Sequence, residues 1–195
     1  MRSMADAGSK ARHSAFTENR ALARSVLIVA IAASILISGG LRLSGERAAV
    51  SDMYTAKQGI HTDLFARAEA ALNLCDAAKD YPMISDDLKN AVSGARDSLL
   101  EALKDAEARG KHSRADAALD NAVAQLYGEL STAKLSGADA AFASKQYAEF
   151  TGRGKTITLD AYNKSAGAFN AKLRKFPAAL ITAATPVRAL ELFNN

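Results

Sequence analysis

The chain has 195 residues, 49% of them hydrophobic and 24% charged, which suits one ordinary domain plus an appendage and excludes a wholly disordered chain or a polytopic membrane protein. With 12 glycines, 3 prolines and alanine as the commonest residue, there is little material for the turns of an all-β fold, and helices are expected. The net charge of +4 is spread among acidic residues; it suits an anionic lipid surface but is too weak for a nucleic-acid partner.

Residues 1–24 form a polar N-terminal tail. From Ser25 to Leu41 the chain reads SVLIVAIAASILISGGL, uncharged and bracketed by Arg24 and Arg42. About 17 residues at 1.5 Å each cover roughly 25 Å, near the lower limit for a bilayer core. Leu43 extends the run, so residues 25–43 are expected to be a transmembrane helix. A cleaved signal peptide ending near Ser38-Gly39-Gly40 is the competing reading, but the polar tail and the apolar run are both long for one. Arg2, Lys10, Arg12, Arg20 and Arg24 precede the run, against Arg42, Arg47 and Lys57 after it, which weakly favours a C-terminal part outside the cytoplasm.

Residues 44–195 show helical periodicity. The first helix either continues from the membrane segment through Arg47 to Lys57 as a rigid stalk or breaks at one of the Ser-Gly sites. Its stripe is Leu64, Ala68, Ala71, Cys75 and Ala78, widened by Phe65 and Leu72, and Tyr81-Pro82 stops it. Ser85 caps a second helix, with Asp86 and Asp87 in its first turn and the stripe Leu88, Val92, Ala95, Leu99, Leu103 and Ala106; Gly110 is its stop. The third helix starts near His112, with Ser113 as cap, and buries Ala115, Leu119, Ala122, Leu126, Leu130 and Ala133. The fourth runs from about Ala138 to Lys175. Its stripe is Leu159, Tyr162, Ala166, Phe169 and Leu173, continuing to Phe176 and Leu180, and Gly152 and Gly154 loosen it locally. Four such helices with short connections predict an all-α fold: an N-terminal transmembrane helix followed by an antiparallel up-down four-helix bundle with long helices.

Chemistry-bearing motifs are sparse. Gly154-Lys155-Thr156 resembles the end of a phosphate-binding loop, but Glu149 stands where that motif needs glycine. The single Cys75 excludes a disulfide framework and reads as a buried small hydrophobe, and His13, His61 and His112 are not in ligand spacing. No catalytic residue, metal or cofactor is therefore expected. Asn163 and Asn170 lie seven residues apart on one side of the last helix, each after an aromatic. Either they bond across a helix seam, with Asn73 a candidate partner, or they line a polar groove that receives a ligand.

The stretch YNKSAGAFNAKLRKFPAALIT carries two aromatic-Asn pairs, Tyr162-Asn163 and Phe169-Asn170, and then Phe176-Pro177, each seven residues after the last. This resembles the signature of the LemA family. Leu64, Arg67, Asn73, Leu74, Lys79 and Tyr81 fit that family's first helix, Ala95-Arg96 its second, and Phe142 with Glu149 the start of its last. Ala66 and Leu72 depart from the family's Arg-Arg and proline, and Gly152-Arg153-Gly154-Lys155 replaces its Glu-, Asn- and Arg-rich region. The resemblance implies a bacterial, membrane-anchored helical bundle of the inner or plasma membrane, with no established enzymatic activity. Its signature residues here are Asn73, Tyr162, Asn163, Phe169, Asn170, Phe176 and Pro177, structural or partner-binding. Family topology is often described with the bundle in the cytoplasm, against the charge count.

Two functions follow as expectations. The first is a non-enzymatic interaction or scaffold module at the cell envelope, held in the bilayer by residues 25–43. Its partner would be another protein or, through Ala30, Ala33 and Ser34, a second copy. The second is a lipid- or small-molecule-binding bundle with its site between helices near Asn163 and Asn170.

Overall fold

The computed structural model describes residues 4–193, with side chains for residue 20 and residues 22–193. Residues 1–3 of the expected tail and the last two residues of the expected bundle lie outside the described residues. The elements are α1 (Met4–Thr55), α2 (Ile60–Ala78), α3 (Asp86–Leu103), α4 (Arg109–Thr132), α5 (Gly137–Leu159), α6 (Tyr162–Leu173) and α7 (Ala178–Ala184), with no strand among the described residues. The fold is all-α. Near the N-terminus, α1 is long and apolar enough to cross a membrane.

Two compact units are present. The larger comprises Glu46–Leu173 and Ala189–Asn195, the smaller Met1–Gly45 and Arg174–Arg188. In the larger unit α2 packs on α3, α4 and α5, α3 on α4, and α4 on α5. The α2 stripe is buried as its spacing predicts, from Leu64 through Ala68, Ala71 and Cys75 to Ala78, whereas Phe65 is exposed. Val92, Leu99 and Leu103 of α3 and Leu119, Val123, Leu126 and Leu130 of α4 complete this side of the core. Ser85 caps α3, its hydroxyl accepting from the Asp87 amide at 3.2 Å, and Ser136 caps α5 through the Asp139 amide at 3.2 Å.

Several boundaries differ from those expected. The helix continues from the expected membrane segment through Arg47, with no break at the Ser-Gly sites, but only as far as Thr55: α1 ends there, and the chain turns at Gly59 before α2 begins. A Cβ at Gly59 would lie 2.3 Å from the Met53 carbonyl oxygen and 2.6 Å from that of Tyr54, so only glycine fits this turn. Gly110 is not a stop but lies in the first turn of α4, and Ser113 is not its cap. The expected fourth helix is two. It passes through Gly152 and Gly154 unbroken and ends at Asp160, whose extended backbone (φ −64, ψ 138) interrupts it. Asp160 Oδ1 then accepts from the Tyr162 amide at 2.7 Å, giving the first turn of α6 an acceptor that an uninterrupted helix would not need. Leu159 at one end of the expected stripe, and Phe176 and Leu180 at the other, are exposed rather than buried.

In the smaller unit, α7 rests against α1 where that helix carries Gly39 and Gly40. A Cβ on Gly39 would lie 2.4 Å from Ile181 Cδ1, so the missing side chain is what admits Ile181. The pair neither breaks α1 nor bends it out of helical geometry. Arg188 Nη1 donates to the Thr185 carbonyl at 2.8 Å and the Val187 carbonyl at 3.1 Å, closing the end of α7.

Candidate functional site

Helix α6 buries Tyr162, Ala166, Phe169 and Leu173, and this places Asn163 and Asn170 together along its flank. Seven residues of helix cover about 10.5 Å. The segment from Ala189 to Phe193 lies along the same flank, and both asparagines hold it. Asn170 Nδ2 donates to the Leu190 carbonyl at 2.8 Å while its Oδ1 accepts from the Leu190 amide at 2.8 Å. Asn163 repeats the pattern at Phe193, at 2.6 and 2.9 Å. Three residues match two helical turns only in a drawn-out chain, at about 3.3 Å per residue, so the tail runs extended and antiparallel to α6. Each carboxamide acts as a one-residue strand partner, a role that needs donor and acceptor on one side chain. Tyr162 adds a bond from its hydroxyl to the Glu191 carbonyl at 2.5 Å, and Leu190 and Phe193 are buried.

Beneath this clasp lies a buried polar cluster from α1, α4 and α6. His112 Nε2 is 3.0 Å from the carbonyls of Ala102 and Asp105, which only accept, so Nε2 carries the proton. Nδ1 is then the acceptor for the Tyr54 hydroxyl at 2.7 Å. Burial pushes the His112 pKa down, favouring this neutral tautomer. Arg109 is wholly buried; it donates to Ser51 Oγ at 2.6 Å and Glu107 Oε2 at 3.1 Å, and its guanidinium sits 5.0 and 5.2 Å from the rings of Tyr54 and Tyr162. Burial alone would raise the Glu107 carboxyl, but hydrogen bonds from Arg109 and Arg47 hold it below its usual range. Burial raises Tyr54 well above its ordinary value and pushes Tyr162 up to about 12. Neither phenol ionises near neutrality, and the cluster braces the clasp.

The larger unit also holds a cleft of about 340 Å³ lined by Arg67, Asp116, Asp120, Thr151, Lys155 and Phe193, among others. Arg67, 5% exposed, donates from Nη2 to Asp120 at 2.5 Å and stacks 4.1 Å over the Phe150 ring. Its Nε stands 3.1 Å from Asp116 Oδ1. Neither atom makes a hydrogen bond there, so the two attract as charges without an aligned N–H. Burial therefore outweighs Arg67 and pushes the Asp116 carboxyl up to about 6. Among the described residues, no group of three or more His, Cys, Asp or Glu is placed to hold a metal ion. Cys75 is buried and its thiol is pushed up by burial.

Of the signature residues, α6 brings Tyr162, Asn163, Phe169 and Asn170 to one element. Asn73 is elsewhere: its amide donates to Gln146 Oε1 at 3.0 Å, joining α2 to α5 and not meeting Asn163 or Asn170. Phe176 and Pro177 belong to the smaller unit, joined by a cis peptide bond. Sequence reasoning missed Tyr54, Arg67, Arg109, His112 and Asp116 as interior residues. The available signal was the four-residue step from His112 to Asp116, in phase with Leu119 and Val123. Set against known proteins, the chain matches no family model, no curated protein and no solved structure.

Proposed function

We propose that this protein is a membrane-anchored, non-enzymatic interaction module whose helical domain is held at the bilayer by residues 25–43. The observation that carries the reading is the exposure of α1: Val26, Leu27, Ile28, Val29, Ile31, Ile35 and Ile37 all lie open, on every side of the helix. Water does not tolerate such a surface, and a hydrocarbon core matches it in length and polarity. Arg24 and Arg42 at its ends suit the headgroup layers. We read α2 to α5 as an antiparallel up-down four-helix bundle, supported by their short connections and by packing of each helix on the next and of α2 on α5. The LemA-like character of the chain rests on the residues of α6, where both aromatic-Asn pairs are engaged.

A scaffold reading of the domain draws on the clasp and the cluster beneath it, whose hydrogen bonds are spent on holding the chain together. The alternative, a lipid or small molecule bound near Asn163 and Asn170, would have to displace residues 190–193 from both amides. The test is extraction of native membranes with alkaline carbonate, followed by crosslinking in intact cells. Retention in the pellet and a reproducible crosslinked protein or second copy are expected. Release by carbonate removes the anchor, and an uncrosslinked monomer removes the scaffold.

A further inference from the structure

From Phe176 to Ala184 the chain reads FPAALITAA, without a charged side chain. Only one side of this stretch is covered. Ala178 and Ile181 are buried, Ile181 in the space left by Gly39. The other side is apolar as well: Phe176 is 82% exposed and Leu180 60% exposed, with Ala179, Ala183 and Ala184 open beside them. A helix that is apolar all round needs cover on all sides.

We propose that α7 lies in the membrane interface as a second lipid contact. Its Phe176–Leu180 face meets acyl chains, and Arg174 and Lys175 meet anionic headgroups. The inference rests on the reading of residues 25–43 as a span. Its depth follows from that reading: Gly39 and Gly40 precede Leu43 by three to four residues, about 5–6 Å along the helix. Helices lying in the interface bury their apolar side about 5–10 Å, which is the level to which the Ile181 contact ties α7. Within the same unit Ile37 and Leu41 of α1 are exposed too, in the stretch already assigned to lipid. Charge agrees. No acidic residue occurs between Ala161 and Leu190, while Arg174 and Lys175 stand exposed just before Phe176.

The chain contains no tryptophan, so a single introduced indole reports its own surroundings. The full-length protein would be reconstituted in phosphatidylcholine–phosphatidylglycerol vesicles in which some acyl chains carry bromine at a shallow or a deep position. Variants F176W and L180W are expected to emit at short wavelength and to lose most of their emission, with the shallow bromines most effective. V29W, about 6 Å inside the other end of the span, reports the span and is expected to be quenched as well. L159W, at a site 85% exposed in the larger unit, is expected to stay unquenched. Quenching of V29W with F176W and L180W emitting like L159W would overturn the interfacial position while leaving the span. Blue-shifted but unquenched emission at 176 and 180 would mean protein cover, by a second copy, and overturns it equally. An unquenched V29W would remove the span and this inference with it.

Discussion

Helix α3 and the stretch of α1 from Val26 to Ile37 both carry branched aliphatic residues and treat them oppositely. In α3, Val92, Leu99 and Leu103 are buried on one line, while Asp86, Asp97 and Glu101 face outward. In α1, Val26 through Ile37 has no polar line at all, and its branched side chains stand open in all directions. Charge and periodicity both separate the two stretches: α3 carries Asp86, Asp87, Lys89, Arg96, Asp97 and Glu101, and Val26 to Ile37 carries no charged residue. A stripe of steps of three and four implies water on the far side, and an unbroken run implies that nothing polar surrounds it. The larger unit complicates this contrast, because its interior also takes in Asp63, Arg67, Arg109, His112 and Asp116. Breaking that exception should produce the largest effect available. Arg67→Met leaves the Asp116 carboxylate buried without its cation and is expected to cost about 3–5 kcal/mol, read from denaturant midpoints in detergent. Asp120, largely exposed, should contribute little of that. Pairing Arg67→Met with Asp116→Leu should recover most of the loss. A single-variant cost below about 1 kcal/mol would mean that water reaches the pair.

The next largest effect tests the other side of the comparison. Ile35→Arg places a charge in the middle of the proposed span, at a cost of about 2.5–3.5 kcal/mol. The same change at Leu159, still more open but in the larger unit, should stay within about 0.5 kcal/mol. The readouts are the fraction retained in carbonate-washed membranes and the melting temperature. Equal tolerance at both sites would show that the exposed surface of α1 faces water.

How far these regions are legible without coordinates depends on what kind of partner each residue has. The α2 stripe is readable because its members are all apolar and meet side chains on other helices. In α4 the same rule misplaces the line: an apolar filter selects Ala115 and Ala122, whereas the buried positions are Arg109, His112, Asp116, Leu119, Val123, Leu126 and Leu130. Their steps of four and three are regular; only their polarity conceals them. The split between α5 and α6 is hidden for another reason, since glycines at 152 and 154 signal weakness while Asp160 makes the break through its own backbone and carboxylate. Gly39 and Gly40 are conspicuous in the sequence but ambiguous, because a break, a cleavage site and a close contact all call for small residues.

The clasp is half legible. The seven-residue spacing of Asn163 and Asn170 places both amides on one flank, but their partner is backbone at Leu190 and Phe193, which carries no side-chain pattern to find. Asn163→Ala and Asn170→Ala each remove two hydrogen bonds and strand an amide and a carbonyl, at about 1–3 kcal/mol apiece. Hydrogen exchange should locate the loss in residues 189–193 and leave α3 protected. Asn170→Asp keeps the acceptor for the Leu190 amide but presents oxygen to the Leu190 carbonyl, and should fall between the wild type and alanine. Loss of protection throughout the larger unit would mean that the tail is integral to the core and not a strap upon it.

The smallest effect expected of the wild type comes from two buried groups one turn apart on α4. His112 faces Tyr54, His61 and Arg109, and burial holds its pKa below the ordinary 6.5. Its Nδ1 lone pair is already used by the Tyr54 hydroxyl. The unfolded chain takes up a proton that the folded chain refuses, so this contribution is full above pH 6.5 and falls as the solution is acidified. Asp116 faces Arg67 and Asp120, and burial lifts it from 3.8 to about 6. Here the folded chain keeps a proton that the unfolded chain has released, so the contribution is full below pH 3.8 and is lost as pH rises through about 6. Just below pH 6 the slopes oppose each other, and the net change in denaturant midpoint should be shallow there. Asp116→Asn deletes one slope and leaves the other: its stability should fall steadily as the pH is lowered through the same range. If the variant is as flat as the parent, His112 does not carry the burden that its burial implies, and the Tyr54–His112 bond opens readily to water.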